Sequence, residues 1–274
     1  MKVVRAALVA ALALAAPAAA AEERFITLAS ATSAEDSGLF GHILPLFTAR
    51  TGFAVRVVSI GTGAAIKLGE NGDADVLLVH DPVSEERFVA QGFGVDRRPV
   101  MVNDFVLVGP ASDPAGVNGL KDVAEAFRRL AAARASFVSR ADQSGTHKAE
   151  FRFWRAAGVD PRGGSGTWYL EAGLGQGATL NIAAAMGAYM LADRGTWLAF
   201  RNRRDLVIAV EGDPRLQNPY HVILVNPALH PQVKINEARA FMDWLTSAEG
   251  QRAIADYRVA GERLFEPVLE EARE

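Results

Sequence analysis

The 274-residue chain contains no cysteine, which excludes a disulfide scaffold, a thiol nucleophile and thiolate-ligated zinc. It also lacks a large charge excess, since 29 Lys and Arg stand against 32 Asp and Glu for a formal charge of −3. That balance offers no basic surface for nucleic acid. With half of its residues hydrophobic, the chain is no disordered tail either. His42, His80, His147, His221 and His230 show neither His-Glu-x-x-His nor clustered spacing, so no metal centre is expected. A Gly-x4-Gly-Lys-Ser/Thr phosphate cradle is absent. Beyond the N-terminus there is no run of about 18 apolar residues, the length a membrane-spanning helix requires.

What is present begins with an export signal. Lys2 and Arg5 precede an Ala-, Leu- and Val-rich stretch from Ala6 to Ala16, and Pro17 leads into alanines ending at Ala21. A positive start, an apolar stretch of roughly ten residues and a small-residue cleavage site make 1–21 a signal peptide. No cysteine follows, so the processed end has no lipid-anchoring residue. The expectation is a periplasmic protein whose mature chain does not enter the membrane. Losing Lys2 and Arg5 leaves 27 basic against 32 acidic residues, a mature charge of −5. Its length allows two domains or one large one.

Short apolar or β-branched runs alternate with longer helical patterns. Phe25–Leu28, Phe53–Val58, Val76–Val79, Phe105–Val108, Phe137–Val138, Leu206–Val210 and Val222–Val225 read as strands. Gly38–Arg50, Ser84–Gln91, Leu120–Arg134, Gly145–Ala157, Ala178–Asp193, Lys234–Leu245 and Ala248–Tyr257 read as helices. Such alternation implies an α/β protein with largely parallel sheets. Two longer extended runs stand out: Pro99–Pro110, interrupted by Asn103 and Asp104, and Leu206–Val225, interrupted by Gly212, Asp213 and Pro214. They suit a chain that crosses between two lobes and returns, although two ordinary strands with loops fit as well.

The chemistry concentrates at strand-to-helix junctions, where open α/β sheets place their ligands. After Phe25–Leu28 come Ser30, Thr32, Ser33 and Ser37, with Ser33 and Asp36 spaced as a capping box. Gly61-Thr62-Gly63 follows the second strand, and Arg140-Ala141-Asp142-Gln143-Ser144-Gly145-Thr146-His147 follows Ser136–Ser139. Hydroxyls and free N–H groups at helix starts are the makings of an anion site, though each junction alone could be only a cap. Gly173–Gly177 is a fourth glycine-rich turn, expected to be a loop or hinge able to lend a backbone donor. An acidic chain must capture an anion locally. Neutral donors around one guanidinium suit a small oxyanion better than a nucleotide.

These motifs, joined by Gly72-Asp73-Ala74-Asp75-Val76-Leu77-Leu78-Val79-His80, resemble the periplasmic tungstate-binding proteins of Tup-type ABC importers over nearly all of the mature chain. The resemblance implies a type II periplasmic-binding-protein fold, α/β and two-lobed, with two crossover strands at the hinge. Lobe 1 would comprise 22–103 and 212–274, and lobe 2 104–211. It implies capture of tungstate or molybdate without a cofactor, delivery to a membrane permease, and a monomer. Carried over position by position, Thr32, Ser33 and Thr62 would bind the oxyanion from the first lobe. Arg140, Ser144, Gly145 and Thr146 would bind it from the second. The departure lies at Ser30-Ala31-Thr32-Ser33, where a Thr-Thr-Thr-Ser run is usual, so Ala31 removes one hydroxyl. Asp142 would orient Arg140 or accept a proton from a protonated ligand, the latter suiting hydrogen phosphate; phosphate and sulfate are the alternative ligands. An enzymatic alternative is a serine hydrolase using Ser144, His147 and Asp142, against which the Gly-x-Ser-x-Gly elbow is missing. Elsewhere, His80 is expected to be structural, with lining of the cleft as its alternative, and Phe151 and Trp154 to pack their helix on a sheet with Arg152 and Arg155 facing solvent. Arg194, Arg201, Arg203 and Arg204 form a basic patch expected to be solvated.

Overall fold

A computed structural model describes residues 24–269; the expected signal peptide at 1–21 lies outside them. The first stretch runs β1 (Phe25–Ala31), α1 (Thr32–Asp36), α2 (Leu39–Thr51), β2 (Ala54–Ile60), α3 (Thr62–Asn71), β3 (Val76–Val79), α4 (Pro82–Ala90) and the long β4 (Gly94–Pro110). Next come α5 (Val123–Ala133), β5 (Phe137–Ser139), α6 (Gly145–Ala156), β6 (Tyr169–Glu171), α7 (Gln176–Met186), β7 (Met190–Asp193), α8 (Arg194–Ala199) and β8 (Leu206–Val210). The return is β9 (Gln217–Val225), α9 (Ile235–Leu245), α10 (Ala248–Asp256), β10 (Arg258–Val259), β11 (Glu262–Arg263) and β12 (Glu266–Pro267).

Strands β1, β2 and β3 are parallel, and β9 joins β3 antiparallel. β4 then pairs antiparallel with β9 as far as Asp104, opposite Gln217, and from Phe105 onward with β7 and β8. Asn103 and Asp104 therefore do not break the strand; they mark where one continuous strand changes partners. Two core groups follow from this. One gathers Ile26, Phe47, Val76, Tyr220, Phe241 and Ile254 with the α3 side, and the other gathers Phe105, Phe127, Phe137, Trp154, Tyr189 and Met190. The result is a two-lobed α/β fold with β4 and the β8–β9 run crossing between the halves.

Local chemistry sets the junctions. Asp122, Ser144 and Ser247 cap α5, α6 and α10 by accepting a main-chain N–H, and Pro82 begins α4, where its missing N–H costs nothing. The helix expected over Ala178–Asp193 ends at Met186, because Gly187 takes a left-handed conformation (φ 61°) and closes it. Met190–Asp193 is instead a fully buried strand, and a continuous apolar run carries no periodicity to tell the two apart. The expected Ser33–Asp36 capping box does not form either. Helix α1 already begins at Thr32, which puts Ser33 inside its first turn. On α6 the buried face uses Phe153 with Trp154, while Phe151 is half-buried. Among the described residues no helix is long and apolar enough to cross a membrane.

Candidate functional site

Three turns meet at the Arg140 guanidinium and a fourth lies against them. Arg140 ends the β5 turn and is buried, although only a protein partner or a ligand can satisfy such a charge there. Its Nη1 donates to Thr146 Oγ1 (3.3 Å), in the first turn of α6, and to Gln176 Oε1 (2.9 Å), the first residue of α7. Its Nη2 donates to Asp142 Oδ2 (2.6 Å) and, across to the other lobe, to Thr32 Oγ1 (3.5 Å). The turn before α3 lies against the same loop: a Cβ at Gly61 would sit 3.8 Å from Ser144 Cα, and one at Gly63 3.8 Å from the Gln143 carbonyl oxygen. Thr62, between those glycines, is buried.

Counting hydroxyl protons separates the sequence-predicted donors. The Thr146 proton goes to Gln176 Oε1 (3.2 Å). Ser33 Oγ lies 3.2 Å from His80 Nε2 and 3.0 Å from Tyr220 OH, so that hydroxyl points into the crossover strands. Ser144 Oγ accepts the His147 N–H (3.3 Å) as a cap and keeps its own proton. Thr62 Oγ1, Arg140 Nε and Gln176 Nε2 are buried without a partner among the described residues. Orphaned buried donors are costly and rare. Three of them within one cluster of turns, two of them donors on the residues that touch each other, fit a small anionic acceptor.

The loop that carries Arg140 is held by its own backbone. Ala141 and Gln143 are left-handed (φ 50° and 62°), a conformation L side chains rarely adopt and one that clusters at functional turns. Asp142 Oδ1 accepts the Ser144 N–H (3.1 Å) while Oδ2 holds Arg140, so both oxygens are engaged and the carboxylate orients the guanidinium. Gly145 leaves room for the His80 ring, whose Cε1 would lie 2.6 Å from a Cβ there. On the flank, Lys148 Nζ of α6 donates to Asp81 Oδ2 (2.9 Å) and Arg152 approaches Asp81 Oδ1 (3.6 Å), a second bridge between the halves. Arg152 is exposed, as expected, and reaches Asp81 from the surface. Surface grooves lie elsewhere; a cavity of about 350 Å³ lined by Asp104, Arg194, Asp213 and Glu266 includes none of the Arg140 cluster.

The family model described as a PBP superfamily domain matches residues 16–249. A tungstate-binding protein TupA of Peptoclostridium acidaminophilum is 44% identical over 246 residues, covering 88% of this chain and 85% of that one. A putative ABC transporter anion-binding protein of Haloferax volcanii is 50% identical, covering 88% of this chain and 71% of that one. The solved structure of TupA from Desulfovibrio alaskensis G20 superposes with a TM-score of 0.78 at 43% identity, over 90% of this chain and all of that one. The chain belongs to the TupA family. In this TupA-family chain the Arg140 cluster joins Thr32, after β1, to the turns that open α6 and α7.

Within the Arg140 cluster, one residue escaped the sequence reading. Gln176 was inside the glycine-rich turn singled out at Gly173–Gly177, but as a neutral amide it gave no signal beyond a possible backbone donor. His80 was read as structural with lining of the cleft as its alternative, and its ring makes buried hydrogen bonds while touching Ser33 and the Gly145 turn. The hydrolase arrangement is not assembled: Ser144 Oγ meets the His147 main chain, and His147 Nδ1 accepts the Gln143 N–H (3.0 Å). Among the described residues no group of three or more His, Asp or Glu could hold a metal ion.

Proposed function

We propose that this chain is the substrate-binding protein of an ABC importer and captures tungstate, with molybdate as its near equivalent, in the cleft around Arg140. The observation that carries this is the convergence of turns from both halves on one buried guanidinium, with orphaned donors on Thr62, Arg140 and Gln176. Thr32, Thr62 and Ser144 would supply hydroxyl protons, and Arg140 Nε–H the charge-assisted bond. Ser33, Gly145 and Thr146 would contribute main-chain N–H groups, since first-turn amides have no partner within their helices. Gln176 joins the set.

The lobes would be 22–103 with 212–274, and 104–211. Ligand bonded to both favours the closed arrangement by its differential affinity for closed over open, and no covalent step is involved. A periplasmic monomer passing its ligand to a permease suits this reading. Phosphate stays the alternative ligand, because each Asp142 oxygen accepts one bond, from Arg140 or from the Ser144 N–H, and keeps a lone pair for the remaining proton of hydrogen phosphate. Thermal-shift measurements on the mature chain against tungstate, molybdate, sulfate and phosphate test the reading. Stabilisation by the first two at micromolar concentration is expected, since a ligand of the folded state raises apparent stability by mass action. Equal or larger shifts with sulfate or phosphate would contradict it.

A further inference from the structure

A buried chain of hydrogen bonds leads from the proposed ligand loop to the far side of the crossover. Asp193, the cap of α8, accepts main-chain N–H groups from Gly195 (2.9 Å) and Thr196 (3.4 Å). Its Oδ2 accepts Asn103 Nδ2 (2.7 Å) and Asn218 Nδ2 (3.3 Å). Asn218 Nδ2 also donates to Asn103 Oδ1 (2.8 Å). Two acceptors on that side fix the amide of Asn218, because a flipped group would set oxygen against oxygen. Asn218 Oδ1 therefore faces His80 Nδ1 at 2.8 Å and must receive a proton from it. Burial holds His80 neutral, with its ring pulled down to about 4. A neutral ring protonated at Nδ1 has a bare Nε2, and the group beside it is Ser33 Oγ at 3.2 Å. Ser33 gives its single proton there; Tyr220 OH lies 3.0 Å from Ser33 Oγ and 3.4 Å from Asp193 Oδ2, with one proton for those two acceptors, and its ring stacks on the imidazole at 4.6 Å. The other edge of the same ring packs against Gly145.

We infer that His80 is a positioning residue for the oxyanion: set as the Nδ1–H tautomer by Asp193 through Asn218, it takes the Ser33 proton and props the Gly145 turn. Ser33 then has no hydroxyl proton for the ligand, and one imidazole fixes the spacing of a first-lobe turn and a second-lobe turn. The inference rests on the oxyanion reading above and adds the residue that sets its geometry.

The test combines nitrogen-15 NMR of histidine-labelled mature protein with tungstate calorimetry on variants. The His80 signal, assigned by its loss in His80→Gln, is expected to show a neutral ring protonated at Nδ1. His80→Gln keeps an acceptor near Ser33 and is expected to bind within about threefold of the parent, while His80→Asn keeps only the donor to Asn218 and weakens binding roughly tenfold or more. An Nε2–H tautomer, an imidazolium at neutral pH, or His80→Asn with parental affinity would overturn the inference alone. Should both histidine variants fail to fold, the tautomer in the parent protein decides it. A parent protein that binds none of the four oxyanions would sink the site reading, and this inference with it.

Discussion

At the scale of single residues, the guanidinium of Arg140 carries the electrostatics of the site. Four of its five N–H groups are taken by Thr146, Gln176, Thr32 and Asp142, which leaves Nε–H. Arg140→Ala removes a charge-assisted donor worth about 1.5–3 kcal/mol, so tungstate affinity measured by calorimetry should fall roughly ten- to hundredfold. A second residue-scale expectation concerns Glu150, buried beneath the same loop. It accepts from Ser139 Oγ (2.8 Å), Trp154 Nε1 (3.0 Å) and Tyr169 OH (2.7 Å), yet burial pushes it from 4.5 up to about 7. Between those values the folded state holds a proton that the unfolded chain has lost, so this group's contribution to stability falls as pH rises from about 4.5 to 7. Glu150→Gln, which cannot ionise, should gain on the parent from pH 5 to pH 8 by up to roughly 3 kcal/mol in denaturant titrations. Asp193, raised to about 6, acts in the same direction and His80 in the opposite one, and the difference between variant and parent cancels both. Thr32, Thr62, Arg140 and Ser144, which the structure gathers at one place, stood out in the sequence as hydroxyls and a lone arginine at glycine-bearing helix starts. The silence of Ser33 Oγ was not legible. Its partners His80 and Tyr220 lie 47 and 187 residues away, and only tertiary packing brings them to it.

Elements carry the coupling between halves. Helix α6 contributes its N-terminus to the site and, one turn further on, Lys148 to Asp81 at the cap of α4. Asp81 is nearly inaccessible, whereas the Lys148 side chain is about one-third exposed (32%). The bridge is therefore worth about 1 kcal/mol rather than the full value of a buried ion pair. Lys148→Met should raise the tungstate dissociation rate about fivefold in stopped-flow measurements, with little change in association, since the side chain touches only the opposing lobe. Unchanged dissociation would show that the bridge does not hold the closed form. Most elements followed from periodicity and caps, with Val76–Val79 and Leu206–Val210 matching to the residue. The strand at Met190–Asp193 did not, because Ala178–Asp193 is apolar almost throughout and its one punctuation mark, Gly187, is equally at home inside a weak helix. β4 was read as interrupted at Asn103 and Asp104. Those polar residues are tolerated in mid-strand because Asn103 bonds Asp193 and Asp104 holds Arg194 (2.5 Å).

For the whole molecule, the claim is that two lobes joined by crossover strands close on a compact dianion. The chain carries a formal charge of −3, so attraction at long range does not help, and affinity must come from donors preorganised at one place. Closure should also appear in solution: small-angle scattering is expected to show a smaller radius of gyration with saturating tungstate than without it, and an unchanged radius would contradict a hinged capture. The most direct measurement is anomalous diffraction at a tungsten absorption edge from crystals of the mature protein grown with tungstate. A single strong peak is expected among Thr32, Thr62, Arg140, Gln176 and the start of α6. A well-occupied peak elsewhere, with the Arg140 turn empty, would contradict the account.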